Sequence, residues 1–273
     1  MDVGLLMLVG GVAAGAFGSL LGLGGGLLIV PLLTIGFGLP LREAVGVSLV
    51  CVIVTSSASA SVYLQRRQAH LRLGMLLELF TAVGAIAGGL IAFLIDERLL
   101  AGLFSALLAY VAFTMLRLSR AARHAGGAAD APDAHDSPGA WGSVGRSIGP
   151  VRRLPAGLAG SVGAGVVSAV LGVGGGIVKV PVMHLVMGVP LRVATATSNL
   201  MIGITASASA IVYLVRGGID INAAGPTAVG VFLGATLGSR LGGRANVGML
   251  RLLFVAVLLF TAFEMARRAM SVS

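Results

Sequence analysis

LGLGGGLLIVPLL (residues 21–33) returns as LGVGGGIVKVPVM (residues 171–183), 150 positions later in the same chain. The offset holds well beyond these blocks, pairing Arg42 with Arg192, Ser48 with Ser198 and Tyr63 with Tyr213. Between positions 22 and 66, 21 of 45 residues are identical to their partners without a gap, so the chain is a duplication. Each copy is an apolar stretch interrupted by the same glycine cluster and then a proline. Interrupted hydrophobic segments at matching positions of two halves point to the binding site of a secondary transporter.

Composition sets the solvent. Hydrophobic residues make up 57% of the chain and charged residues 11%, against about 25% charged in soluble proteins, and mean hydropathy is +1.01. Several windows exceed the ~20 apolar residues needed to cross a bilayer. The net charge of +9 does not indicate nucleic acid, because the arginines fall at the ends of apolar segments, as at Arg66, Arg67 and Arg72 or Arg267 and Arg268, where membrane topology places them. The single cysteine, Cys51, lies inside an apolar segment and reads as a small buried hydrophobe, so disulfides and thiolate metal clusters have no basis. The N-terminal stretch lacks a basic n-region and reads as a membrane segment.

Two membrane repeats, 1–118 and 156–273, flank a polar linker over 119–155 that is rich in Ala, Gly, Asp and Pro and reads as flexible and cytoplasmic. Each repeat predicts an apolar stretch up to the glycine cluster (4–21; 156–171) and a segment too short to span (26–37; 176–187). Three long segments follow in each (43–64, 73–95, 98–117; 193–215, 223–241, 248–267). All should be helical, since lipid offers no partners for backbone groups. Gly84-x3-Gly88 and its copy Gly234-x3-Gly238 have the spacing that lets membrane helices approach closely. The fold class is therefore an all-α polytopic membrane protein. The positive-inside rule favours inverted repeats over parallel ones, because inversion places Arg240, Arg244 and Arg251 with the basic linker; its cost is an outward C-terminus.

The glycine cluster resembles a dinucleotide fingerprint only superficially, because GxGxxG is not completed and no βαβ unit surrounds it. In a membrane segment it reads as a helix break, and a short helix beginning at Gly26 or Gly176 would turn free N–H groups toward an anion. The candidate substrate residues are Gly24, Gly25 and Gly26, and Gly174, Gly175 and Gly176. Lys179 joins them, since it replaces the Ile29 of the first copy and a membrane-buried lysine must face a polar cavity or a carboxylate. Ser48, Ser198 and Asn199, with Thr55 and Thr205 further along the same segment, offer neutral donors suited to an oxyanion. Ser57 and Ser59, which recur at Ser207 and Ser209, read instead as interhelical hydrogen-bond formers. Glu78 and His184 are the titratable candidates for coupling, with pairing to Arg72 as the plain alternative for Glu78. No catalytic constellation, metal-ligand cluster or cofactor motif appears.

The paired GxGGGxxxVP and GxGGGxxKVP blocks, followed by GVPLRVATATSNLMIGITASASA (188–210), resemble the sulfite exporter TauE/SafE family of membrane permeases. That resemblance spans both repeats and leaves out only the linker. It implies a non-enzymatic permease of the cell inner membrane, moving a small sulfur-containing anion such as sulfite or an organosulfonate, commonly outward and by alternating access. Its partners would be the anion and the lipid bilayer, with a homo-oligomer left open. A passive anion channel and a non-transporting membrane scaffold are the competing classes.

Overall fold

A computed structural model describes residues 3–20, 26–65, 71–124, 153–241 and 247–271. Among these residues every regular element is helical: α1 (Val3–Leu20), α2 (Gly26–Pro31), α3 (Leu41–Gln65), α4 (Leu71–Leu94), α5 (Glu97–His124), α6 (Leu154–Leu171), α7 (Gly176–Pro181), α8 (Leu191–Val215), α9 (Ile221–Leu241) and α10 (Val247–Ser271). Among the described residues, five stretches are long and apolar enough to cross a membrane: Leu73–Leu94, Glu97–Arg117, Leu154–Leu171, Val193–Val215 and Ile221–Gly238. The protein is thus a multi-pass, all-α membrane protein. Exposed apolar side chains such as Leu79, Val83, Phe260 and Phe263 line its outer surface, as lipid requires.

The two short segments share one construction. α2 and α7 each end on a proline and run into a single turn of π-helix, Leu32–Gly36 and Val182–Val186. Proline has no N–H and its ring crowds the carbonyl four residues back, and a widened turn relieves that crowding. Each π turn is then closed by a glycine in the left-handed region, Gly38 (φ 71) and Gly188 (φ 73). Beyond them, the N–H of Leu39 donates to Leu33 O and that of Val189 to Met183 O, the long-range bond that terminates a helix. Gly157 packs on Met187 and Gly160 on Val182, so α7 with its π turn folds back alongside α6. The equivalent contact, Gly10 on Leu32, recurs in the first repeat.

The repeats interlock through small residues. A side chain on Gly84 would strike the Val162 carbonyl of α6, and one on Gly234 would strike the Val12 carbonyl of α1. Gly88 against Val166 and Gly238 against Ala16 repeat the pair one turn on. Each first helix therefore lies along the α4-type helix of the other repeat, in the same direction, at a distance only glycine permits. The equivalent helices α3 and α8 run in opposite directions: Gly46 meets Gly218 just past the end of α8, and Ser56 meets Gly203. One apolar core runs through both repeats, from Leu27 and Phe104 to Tyr213 and Phe254.

One sequence expectation needs amending. Ser57, Ser207 and Ser209 do not bond between helices. Their hydroxyls donate to the carbonyls of Ile53, Gly203 and Thr205, each four residues back in the same helix. A serine in a helix reaches its own preceding turn at no cost in helix separation. Gly24, Gly25, the Ser59 side chain and residues 125–152 of the linker lie outside the described residues.

Candidate functional site

The second glycine break is fully described. α6 ends at Gly172 (φ 67), and Gly174 (φ 81) and Gly175 (φ 75) continue in the left-handed region before α7 begins at Gly176. A Cβ on Gly174 would stand 2.8 Å from Ile202 of α8 and 2.9 Å from Val52 of α3. Both conformation and space therefore demand glycine here. The break is wedged between α3 and α8, at the seam of the repeats.

Ser48 ties the two breaks together. Its hydroxyl lies 2.8 Å from Gly172 O and 3.2 Å from Gly26 O, acceptors at the end of α6 and the start of α2. Having one proton, it donates to one carbonyl at a time. Its counterpart Ser198 is equally buried, but its Oγ has no hydrogen-bond partner among the described residues. Ser168 Oγ is also unpartnered and would stand 3.4 Å from a Cβ on Gly175.

Ser198 opens onto a cavity of about 260 Å³ between α5, α7 and α8. Thr195, Ser198 and Asn199 form its polar wall on α8, Gly176 and Val180 contribute from α7, and Tyr110 and Thr114 face them from α5. The volume lies below the ~300–1,000 Å³ of drug-sized sites and suits a small ion. A cavity of about 350 Å³ lies between α1, α2 and α10, sharing α2 and α10 with the counterpart of the first cavity but with α1 in place of α3. Its wall is Phe17, Leu28, Pro31, Phe254 and Phe260, with Thr261 the polar exception. Tyr110 and Thr114 were not anticipated from the sequence. The replacement of Tyr110 by Phe260 in the second copy was the available signal.

Lys179 faces away from this cavity. It is 2% exposed, and its Nζ donates to Glu78 Oε2 at 2.8 Å and to Thr205 Oγ1 at 2.7 Å. Thr205 in turn donates to Glu78 Oε1 at 2.6 Å, closing a triangle between α7, α4 and α8. Glu78 thus has Lys179 as a partner, the side chain of the alternative, Arg72, lying outside the described residues, and of the two environments foreseen for the lysine the carboxylate is the one present. The separation of the two in sequence had hidden the pair.

The other candidates are held locally. Thr55 Oγ1 donates toward the carbonyls of Cys51 and Val52 within α3, at 3.1 Å each. His184 is exposed, and its Nδ1 lies 2.9 Å from Val189 O, where as an N–H it seals the exit from the π turn. Among the described residues no cluster of His, Cys, Asp or Glu could hold a metal.

A family model described as sulfite exporter TauE/SafE matches residues 7–265. The chain is similar to a protein named probable membrane transporter protein YunE from Bacillus subtilis (strain 168), 22% identical over 242 residues that cover 86% of this chain and 87% of the relative. No solved structure matches the chain.

Proposed function

The chain belongs to the sulfite exporter TauE/SafE family, a family of membrane transporters, and from that premise we propose that it carries a small oxyanion, sulfite or an organosulfonate, across the inner membrane. The carrying observation is the Ser198 hydroxyl, buried without a partner on the wall of a cavity beside a glycine-rich helix break. A buried polar group without a partner costs roughly 1–3 kcal/mol, and an anion accepting from Ser198 removes that cost. Asn199 supplies a neutral donor beside Ser198 on α8. Gly176, on the cavity wall, lets the backbone approach the ion without a side chain between them, and Gly174 and Gly175 shape the break that presents it.

The reading extends to the cycle. The antiparallel course of α3 and α8 and the reciprocal packing of α4 on α6 and α9 on α1 favour repeats related by a two-fold axis in the membrane plane. Ser48, bonding to the breaks of both repeats, is the pivot about which one repeat rocks against the other. The first-repeat break joins the same site through Gly26, whose carbonyl lies 3.2 Å from the Ser48 hydroxyl. The direction of net flux then follows the gradients across the membrane, export being the outcome where the anion accumulates inside.

Purified protein in liposomes tests this. Saturable uptake of labelled sulfite or an alkanesulfonate, reduced severalfold by Ser198→Ala or Asn199→Ala, is the expected result. Flux that rises linearly with concentration would indicate a channel instead, and no flux of any small anion would end the carrier reading.

A further inference from the structure

Lys179 and Glu78 form an ion pair sealed inside the protein, unlike Arg267–Glu264, whose arginine is 64% exposed. Among the described side chains, the helices around the pair bring no other charge to it. α6 has no titratable residue, α4 adds only Arg72 in its first turn, and α8 adds Arg192 in its first turn and Tyr213 near its end. His184, the remaining titratable group after α7, is engaged with Val189. Lys179 must therefore take its counter-charge from Glu78 or from a ligand.

We propose that this pair couples anion transport to proton transport by counter-ion exchange: a proton on the Glu78 carboxylate releases the Lys179 ammonium, which takes the transported anion in its place. The inference rests on the carrier reading above. Two states are neutral inside the protein, Lys179⁺ with Glu78⁻, and Lys179⁺ with the anion while Glu78 is a carboxylic acid. The mixed states, an unpaired ammonium or an anion added beside an ionised Glu78, each bury a net charge at a cost of several kcal/mol. Anion and proton therefore enter together and leave together.

Geometry places the exchange within reach. Thr205, which holds Nζ at 2.7 Å, follows the cavity-lining Ile202 by three residues, about 4.5 Å along the helix axis. On α7, Gly176 and Val180 of the cavity wall flank Lys179 on either side. When Glu78 is neutral, rotation about the four-carbon lysine stem carries the ammonium toward Ser198 and Asn199. For a monoanion no net charge crosses per cycle, so the membrane voltage exerts no force on the coupled step.

The test uses full-length protein in proteoliposomes with labelled sulfite, and methanesulfonate as a permanently ionised probe. With the outside acidic, the wild type accumulates anion inward, and clamping the membrane voltage leaves the methanesulfonate rate unchanged. Glu78→Gln removes pH-driven accumulation, by about tenfold or more, while anion–anion exchange survives, because glutamine imitates the protonated acid. A second variant, Lys179→Ile with Glu78→Ala, restores the residues found at the same positions of the other repeat, Ile29 and Ala228, both buried there. It folds and loses pH-driven transport. Wild-type flux indifferent to the pH gradient, or a double variant that transports like the wild type, overturns the coupling while leaving the carrier reading intact. Absence of any wild-type flux overturns the carrier reading itself.

Discussion

Lys179 Nζ lies 2.8 Å from Glu78 Oε2, joining residues 101 positions apart and on opposite sides of the duplication. Across the duplication, Lys179 is matched by Ile29 and Glu78 by Ala228. Two departures from symmetry that look unrelated along the chain thus meet in one ion pair between the halves, where the pseudo-symmetric positions are apolar. Thr205, third member of the triangle, keeps its counterpart Thr55. The duplicated scaffold has been polarised at one site.

The pair predicts a specific pattern of stability. Lys179→Ile alone or Glu78→Ala alone leaves a buried charge unmatched, at a cost of about 3–5 kcal/mol. The two together should recover most of the loss, since the sites then carry the apolar residues the other repeat already accommodates. Thermal denaturation in detergent decides it, and additive losses in the double variant would mean that the two residues do not share their charge.

Ser48 and Ser198 should separate stability from function. Ser48→Ala removes a hydrogen bond between the breaks and costs about 1 kcal/mol. Ser198→Ala has no internal bond to lose, so it should leave the melting temperature unchanged and weaken anion uptake. A lower melting temperature for Ser198→Ala would assign the residue to the scaffold.

The interlocking glycines predict a position-dependent series. Gly84→Ala and Gly234→Ala drive a methyl group into the carbonyls of Val162 and Val12, at roughly 1–3 kcal/mol each. Gly102 in α5 has nothing within 4 Å of an added Cβ. Gly102→Ala should accordingly be neutral or stabilising by up to ~1 kcal/mol from helix propensity. Size-exclusion profiles and melting curves of the three variants make the comparison.

Thiol labelling tests the cavity. Cys51 is fully buried and should resist a water-soluble maleimide until the protein is denatured. In a Cys51→Ala background, Asn199→Cys should react, and methanesulfonate should slow that reaction. Equal rates with and without the anion would place its path elsewhere.

The antiparallel course of α3 and α8 puts the turns after α4 and α8 on one side, where Arg42 donates to Ile95 O at 2.9 Å and both Arg42 and Arg216 lie over the Phe93 ring. Single cysteines replacing Asp96 and Asp220 should therefore be labelled from the same side of intact cells. One placed in the linker, at Ser137, should be labelled from the opposite side. Labelling of all three from one side would contradict inverted repeats.

The sequence by itself determined the helices and their order. Apolar length sets each span, glycine clusters and prolines interrupt a helix wherever they stand, and a fixed offset of 150 makes each half a template for the other. Expected and observed boundaries differ by only a few residues for most elements, because these are local properties of the backbone. The glycine spacing of α4 and α9 likewise announced a close approach, though not the partner. Tertiary structure alone decided which surfaces meet. It set α4 on α6 and α9 on α1, ran α3 against α8, and opened beside Ser198 and Asn199 a cavity between α5, α7 and α8. It also turned Lys179 toward Glu78 rather than toward open space. The physical reason is range: helix formation is satisfied within four residues, whereas a charge in a membrane seeks its counter-charge wherever folding brings one, with no trace in the intervening sequence.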